Sequence, residues 1–156
     1  MANQLEQSLH VIATYLREDI KQRLIDDGHE ATGELINSIK TIVGRESSMY
    51  KIDGFMAKQG VFIISGRAAG AKGVPIDALV KWIENKNFSD GIKSTRGLAF
   101  AIQTSIKKKG IKPNDFIGKS FDANRVFIGN SLHQAVSDQM HLSIKNMINH
   151  SKQFAT

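Results

Sequence analysis

Histidines, carboxylates, glycines and lysines are the residues of this chain whose spacing invites a chemical reading. The run HEATG at 29–33 begins like the HExxH helix of a zinc protease, but Gly33 stands in the place of the second histidine, which removes a ligand. His133 and His141 can share one side of a helix with Ser137 between them, yet two histidines without a third ligand do not make a metal site. Asp26, Asp27 and Glu30 lack the alternating spacing of a calcium loop. The run GRAAGAKG at 66–73 lacks the GxxxxGK[ST] order that sets backbone amides and a lysine around a phosphate. No nucleophile–base pair emerges. The chain reads as a non-enzyme without cofactor or metal.

Positive charge is the chemical property that survives. The formal net charge is +6. Lys93, Arg96, Lys107, Lys108, Lys109 and Lys112 fall in one stretch that contains no acid, and the other 15 basic residues are matched by the 15 acidic ones. Two readings stay open. Lysines 107–109 suit the last turn of a helix ahead of a capping Gly110, where cations complement the macrodipole. A local excess of cations also attracts a polyanion such as nucleic acid.

The elements that must position these residues follow from periodicity. Leu5, Leu9, Ile12, Leu16 and Ile20 form one stripe, so residues 3–27 read as an amphipathic helix with Asn3 as N-cap and Gly28 as terminator. Val11 and Tyr15 lie off that stripe and point to a second contact. A shorter helix is expected from Thr32, carrying Leu35, Ile36, Ile39 and Ile42 and closing at Gly44. Tyr50 and Ile52 alternate with polar neighbours, and VFIIS at 61–65 is rich in strand formers, so 49–65 reads as a hairpin or small meander. Residues 66–75 read as a flexible glycine-rich arm.

Ile76, Leu79, Val80 and Ile83 then place a helix over 76–86, with Trp82 and Ala78 widening its apolar arc. Leu98, Ala99, Ile102 and Ile106 place another over 95–109, with Phe100 on nearly the opposite side. The last helix is expected from residue 122 or 125 to 150. Its apolar residues Ile128, Leu132, Val136, Met140 and Ile144 step by four, so the stripe drifts, and Met140 and Met147 suit an adaptable contact. The expected fold class is α+β: a small antiparallel sheet packed against a long N-terminal helix, two short central helices and a long C-terminal helix.

At 156 residues the chain suits one domain, residues 1–156. It has no cysteine, no basic-then-apolar leader at its start, and no apolar run near the roughly 20 residues of a membrane span, which implies a soluble protein of a reducing compartment.

Thr32, Gly33, Leu35, Ser38 and Ile39 spell TG-x-L-x-x-S-I, which is similar to the element after the first helix in tail-completion and neck proteins of tailed bacteriophages. The order that follows also resembles that family: a β-rich section, a glycine-containing arm, a helix with Trp82-Ile83, and GIKPNDFIGKSFDAN at 110–124, where Pro113, Phe116, Ile117 and Phe121 match a Pro-x-x-Phe turn. The resemblance covers residues 5–150. Asp115 stands where a proline often precedes the phenylalanine, and Arg67-Ala68-Ala69 replace aromatic and acidic residues common near the arm.

The resemblance implies a virion structural protein, made in the host cytoplasm, that forms a homo-oligomeric ring at the phage neck. It would join the head connector to the tail around the DNA channel, with adjacent connector and tail proteins as partners and no membrane contact. In that setting Gly66, Arg67, Gly70, Gly73, Trp82, Phe100 and Phe116 are the candidate subunit-interface residues, the arm reaching onto the next subunit. The stretch from Lys93 to Lys112 would face DNA without reading sequence, or an acidic partner. The competing expectation is a small basic, non-sequence-specific nucleic-acid-binding protein acting free in solution.

Overall fold

The computed structural model describes residues 4–29, 33–47, 49–88 and 94–153, with residues 151–153 described by backbone alone. Asn3, Glu30, Thr32 and Lys93 lie outside the described residues. The elements in chain order are α1 (Gln4–Asp26), α2 (Glu34–Ser38), β1 (Lys40–Glu46), β2 (Met49–Phe55), α3 (Gln59–Ser65), α4 (Ile76–Asn85), α5 (Thr95–Lys109) and α6 (Phe116–Gln153). The fold is α+β, with one two-stranded antiparallel sheet among the described residues. The chain divides into two compact units, each discontinuous in sequence.

The first unit comprises Met1–Ile20, Lys40–Phe55 and Gly118–Thr156. The expected α1 stripe supplies its core: Leu9, Ile12, Ala13 and Leu16 are buried, and α6 contributes Ala135 and Asn124. Tyr15, off the stripe, packs its ring 4.7 Å from that of Phe127 on α6, which gives the second contact its partner. The hairpin is tied to α1 through the Thr41 hydroxyl, which donates to the Ala13 carbonyl at 3.2 Å.

Strand β1 replaces the second half of the helix expected over 32–44. Thr41, Ile42 and Val43 are three β-branched residues in succession, which crowd a helix and suit a pleated surface. Lys40 pairs with Phe55 and Glu46 with Met49. Ser47 adopts φ 55°, the left-handed backbone that a two-residue hairpin turn requires. The paired Arg45 and Tyr50 place the guanidinium 5.3 Å from the ring centroid.

The second unit comprises Lys21–Ile39 and Met56–Ile117. Leu79 and Ile83 of α4 meet Ala99 of α5, with Val74, Ile76, Val80, Leu98, Ile102 and Ile106 packed around them. Both apolar stripes read from the sequence, Ile76, Leu79, Val80 and Ile83 on α4 and Leu98, Ala99, Ile102 and Ile106 on α5, lie in this cluster. Residues 61–65, expected as a strand, belong instead to helix α3. Buried Gly60 and half-buried Ile63 and Ile64 stand at i, i+3, i+4, a helical spacing that the unbroken apolar run conceals. Gly60 lets α3 sit close to its neighbours: a Cβ there would meet the flexible Met56 thioether, which would have to swing aside, and would lie 3.3 Å from the Leu35 Cδ1.

The TG-x-L-x-x-S-I residues have structural work in this unit. Gly33 enters α2 with φ 66°, Leu35 and Ile39 are buried, and the Ser38 hydroxyl joins two segments. It donates to the Leu35 carbonyl at 2.7 Å and accepts from the Ala57 N–H at 2.8 Å. Ser38→Ala leaves that half-buried N–H without its acceptor. The expected cost is about 1–2 kcal/mol, read as a lower urea midpoint with unchanged slope.

Helix α6 begins at Phe116, earlier than the expected residue 122 or 125. The Pro-x-x-Phe stretch is therefore a helix entry: Pro113 precedes it, while Phe116 and Phe121 lie in the helix itself.

Candidate functional site

The glycine segment 66–75 does not hang free as an arm. The Arg67 N–H donates to the Ile111 carbonyl and the Ile111 N–H to the Arg67 carbonyl, both at 2.8 Å. The Gly70 N–H donates to the Lys107 carbonyl at 2.8 Å, and the Gln103 side-chain amide to the Val74 carbonyl at 2.6 Å. The segment thus runs back along α5 as a strap, opposite in direction to the helix. Two glycines permit the closest approach. Gly66 (φ 65°, ψ −157°) and Gly110 (φ 75°, ψ −169°) both occupy backbone that is essentially reserved for glycine. A Cβ on Gly66 would lie 2.5 Å from the Ile111 carbonyl oxygen, and one on Gly110 would strike that of Arg67.

This corrects the expectation of an arm available to a neighbour. Gly66 and Arg67 lie against the segment 111–113 that follows α5, Gly70 is bonded to the last turn of α5 and Gly73 sits against Gln103; a glycine that permits backbone contact has the same sequence signature as one that permits mobility. Asn114 secures the far end: its N–H donates to the Ile63 carbonyl at 3.0 Å and its side-chain amide to Asp27 at 2.8 Å.

The aromatic candidates separate. Phe116 is fully buried (0 % exposed) and cannot meet another subunit. Its place in a conspicuous motif reflects core packing at the start of α6. Phe100 is 63 % exposed, on the side of α5 away from the core. Trp82 is 38 % exposed and is partly covered by Phe88, whose ring centroid is 5.6 Å away. Trp82 also borders an open hollow with Leu35, Ile63 and His29. Phe88, half exposed, carries no sequence signal because it follows the helix end outside any periodic pattern. Val61 and Phe62 are exposed on α3, and their apolar run suits a strand and a helix alike, so periodicity does not single them out.

Helix α6 carries a further apolar surface. From Met140 to His150 every side chain is exposed. Val136, Met140, Ile144 and Met147 are all exposed, and their 4-4-3 steps return to one side of the helix over 11 residues. The expected row of Ile128, Leu132, Val136, Met140 and Ile144 passes from half-buried to exposed at Val136, as a row that steps by four drifts around its helix. Met140 and Met147 were the residues singled out from sequence.

The basic candidates divide as well. Arg96 is paired with Asp77 at 3.3 Å, both side chains exposed. Lysines 107, 108 and 109 end α5 and Gly110 closes it, donating its N–H to the Ile106 carbonyl at 2.8 Å. Lys112 follows in the segment bridged to Arg67. Among the described residues, no group of three or more histidines and carboxylates is placed to hold a metal ion, and no helix is long and apolar enough to cross a membrane. His141 is turned to its own helix, with Nδ1 2.9 Å from the Ser137 carbonyl. Comparison with protein-family models, characterised proteins and solved structures finds no match to this chain.

Proposed function

We propose that this chain is a structural subunit of a tailed-phage neck, assembling with copies of itself into a ring that joins the head connector to the tail around the DNA channel. It acts there as a non-enzymatic virion component. The observation that carries the reading is the presence of two unlike apolar surfaces. One is the α6 stripe of Val136, Met140, Ile144 and Met147 in the first unit; the other is the pair Trp82 and Phe88 in the second, whose ring centroids lie 5.6 Å apart. Contiguous exposed apolar surface marks an interaction site. A ring closes through head-to-tail contacts, in which one surface meets a different one on the next copy. The α+β fold and the motif order described above support the same reading.

The test places a charge on the stripe. Ile144→Glu is expected to leave the thermal midpoint of the free chain within about 2 °C, because the position is exposed. Joining of heads to tails, counted as infectious particles when the variant replaces the native subunit, is expected to fall at least about tenfold, the effect of roughly 1.4 kcal/mol at an interface. Normal joining by a folded variant sinks the proposal.

A further inference from the structure

The structure redraws the basic stretch. Arg96 leaves it through its pair with Asp77, and the strap brings in two cations from elsewhere in the sequence. Arg67 faces Ile111 across a reciprocal backbone bridge, one residue from Lys112. Lys72 lies between Gly70, which is bonded to the Lys107 carbonyl, and Val74, which is bonded to Gln103. Arg67, Lys72, Lys107, Lys108, Lys109 and Lys112 therefore gather at one end of α5. None of the six has a carboxylate partner among the described residues. Asp27, drawn toward this end by the chain, accepts from the Asn114 amide.

We infer that this strapped end of α5 is a binding site for the phosphate backbone of duplex DNA, gripped without regard to sequence. The inference deepens the neck-subunit reading, on which it rests, by naming what the basic end meets. Complementing the helix dipole accounts for cations near the last carbonyls, but it does not account for Arg67 and Lys72, which are not on the helix. A protein partner fits less well, since lysine is depleted from protein–protein interfaces. Phosphates are met by point charges on long, adaptable stems, and five of the six residues are lysines. The strap's backbone bonds hold Arg67 and Lys72 at the helix end before any ligand arrives, so the cluster is assembled in the free chain.

The test is a salt titration of the full chain against a duplex of about 25 base pairs and arbitrary sequence. Each phosphate neutralised contributes about −0.9 to the slope of log affinity against log salt. Six contacts give a slope of about −5, or roughly a thousandfold loss of affinity between 50 and 200 mM salt. The variant with Lys107, Lys108, Lys109 and Lys112 all changed to Gln is expected to show a slope of about −2. Arg67→Ala with Lys72→Ala, which leaves the backbone bridge intact, is expected to lower the slope by about 2 while the thermal midpoint holds. A native slope near −1, or an unchanged slope in the quadruple variant, overturns the site. An unchanged slope in the Arg67/Lys72 pair overturns the strapped cluster. Competition by polyglutamate as effective as that by DNA, charge for charge, overturns the choice of partner in favour of an acidic protein. DNA binding is read in the free chain and head–tail joining in particles, so either reading can fail visibly without the other.

Discussion

Gly66→Ala and Gly110→Ala are each expected to destabilise the chain by about 3 kcal/mol or more, while Gly129→Ala stabilises it by about 0.5–1 kcal/mol. All three changes add one methyl group. At Gly66 and Gly110 the backbone occupies a region that side chains other than hydrogen exclude, at a cost of about 1–3 kcal/mol. The added carbon also meets main chain: Ile111 and Pro113 in one case, Arg67 and Ala69 in the other. Main-chain atoms cannot rotate aside, so the strap must lift, and the Arg67–Ile111 bonds, each worth about 1 kcal/mol, weaken with it. Gly129 lies within α6 with open space around its Cα, so alanine there only restricts the unfolded chain and favours the helix. Urea unfolding of the three variants separates the cases by sign. A Gly66→Ala variant as stable as the native chain would mean that the strap is not held.

The second large effect is at Phe116. Phe116→Ala is expected to cost about 3–5 kcal/mol, since it empties a fully buried aromatic site. Phe121→Ala, five residues on and 50 % exposed, is expected to cost less than about 1 kcal/mol. The pair distinguishes a core residue from a contact residue within one motif. If Phe116 served a neighbouring subunit, its loss would spare the thermal midpoint and impair joining. The burial argues for the reverse, a folding defect that precedes any assembly defect.

Much of the fold was legible because its strongest patterns are local. Leu9, Ile12 and Leu16 mark the buried side of α1, and Leu79, Ile83 and Ala99 the meeting of α4 with α5; all six were on the stripes that periodicity identified. Short apolar runs misled where they suit two structures equally. Thr41 to Val43 continued the helical spacing of Leu35, Ile36 and Ile39 but pair as a strand, whereas residues 61–65 look like a strand and coil around a buried Gly60. The strap was illegible for a different reason. The bonds of Arg67 and Gly70 to Ile111 and Lys107 run through backbone atoms, which leave no side-chain signature, and a lone Gln103 amide on the Val74 carbonyl falls in no pattern. Of the candidate contact residues, Trp82, Phe100 and the lysines at 107–109 and 112 remain on the surface, Phe116 does not, and Arg67 changes partner from a neighbouring subunit to Ile111.

The paired glycines also constrain how this chain can vary. Three fixed points, at Arg67, Gly70 and Val74 with the residues they meet, set the strap and α5 in register like the teeth of a zipper. An extra residue on one side displaces every later tooth unless the other side gains one too. Glycine-rich stretches ordinarily accept insertions and tags with ease; here the length of 66–74 is locked to that of 103–111. A linker or label for following this protein belongs elsewhere, such as beyond the exposed end of α6.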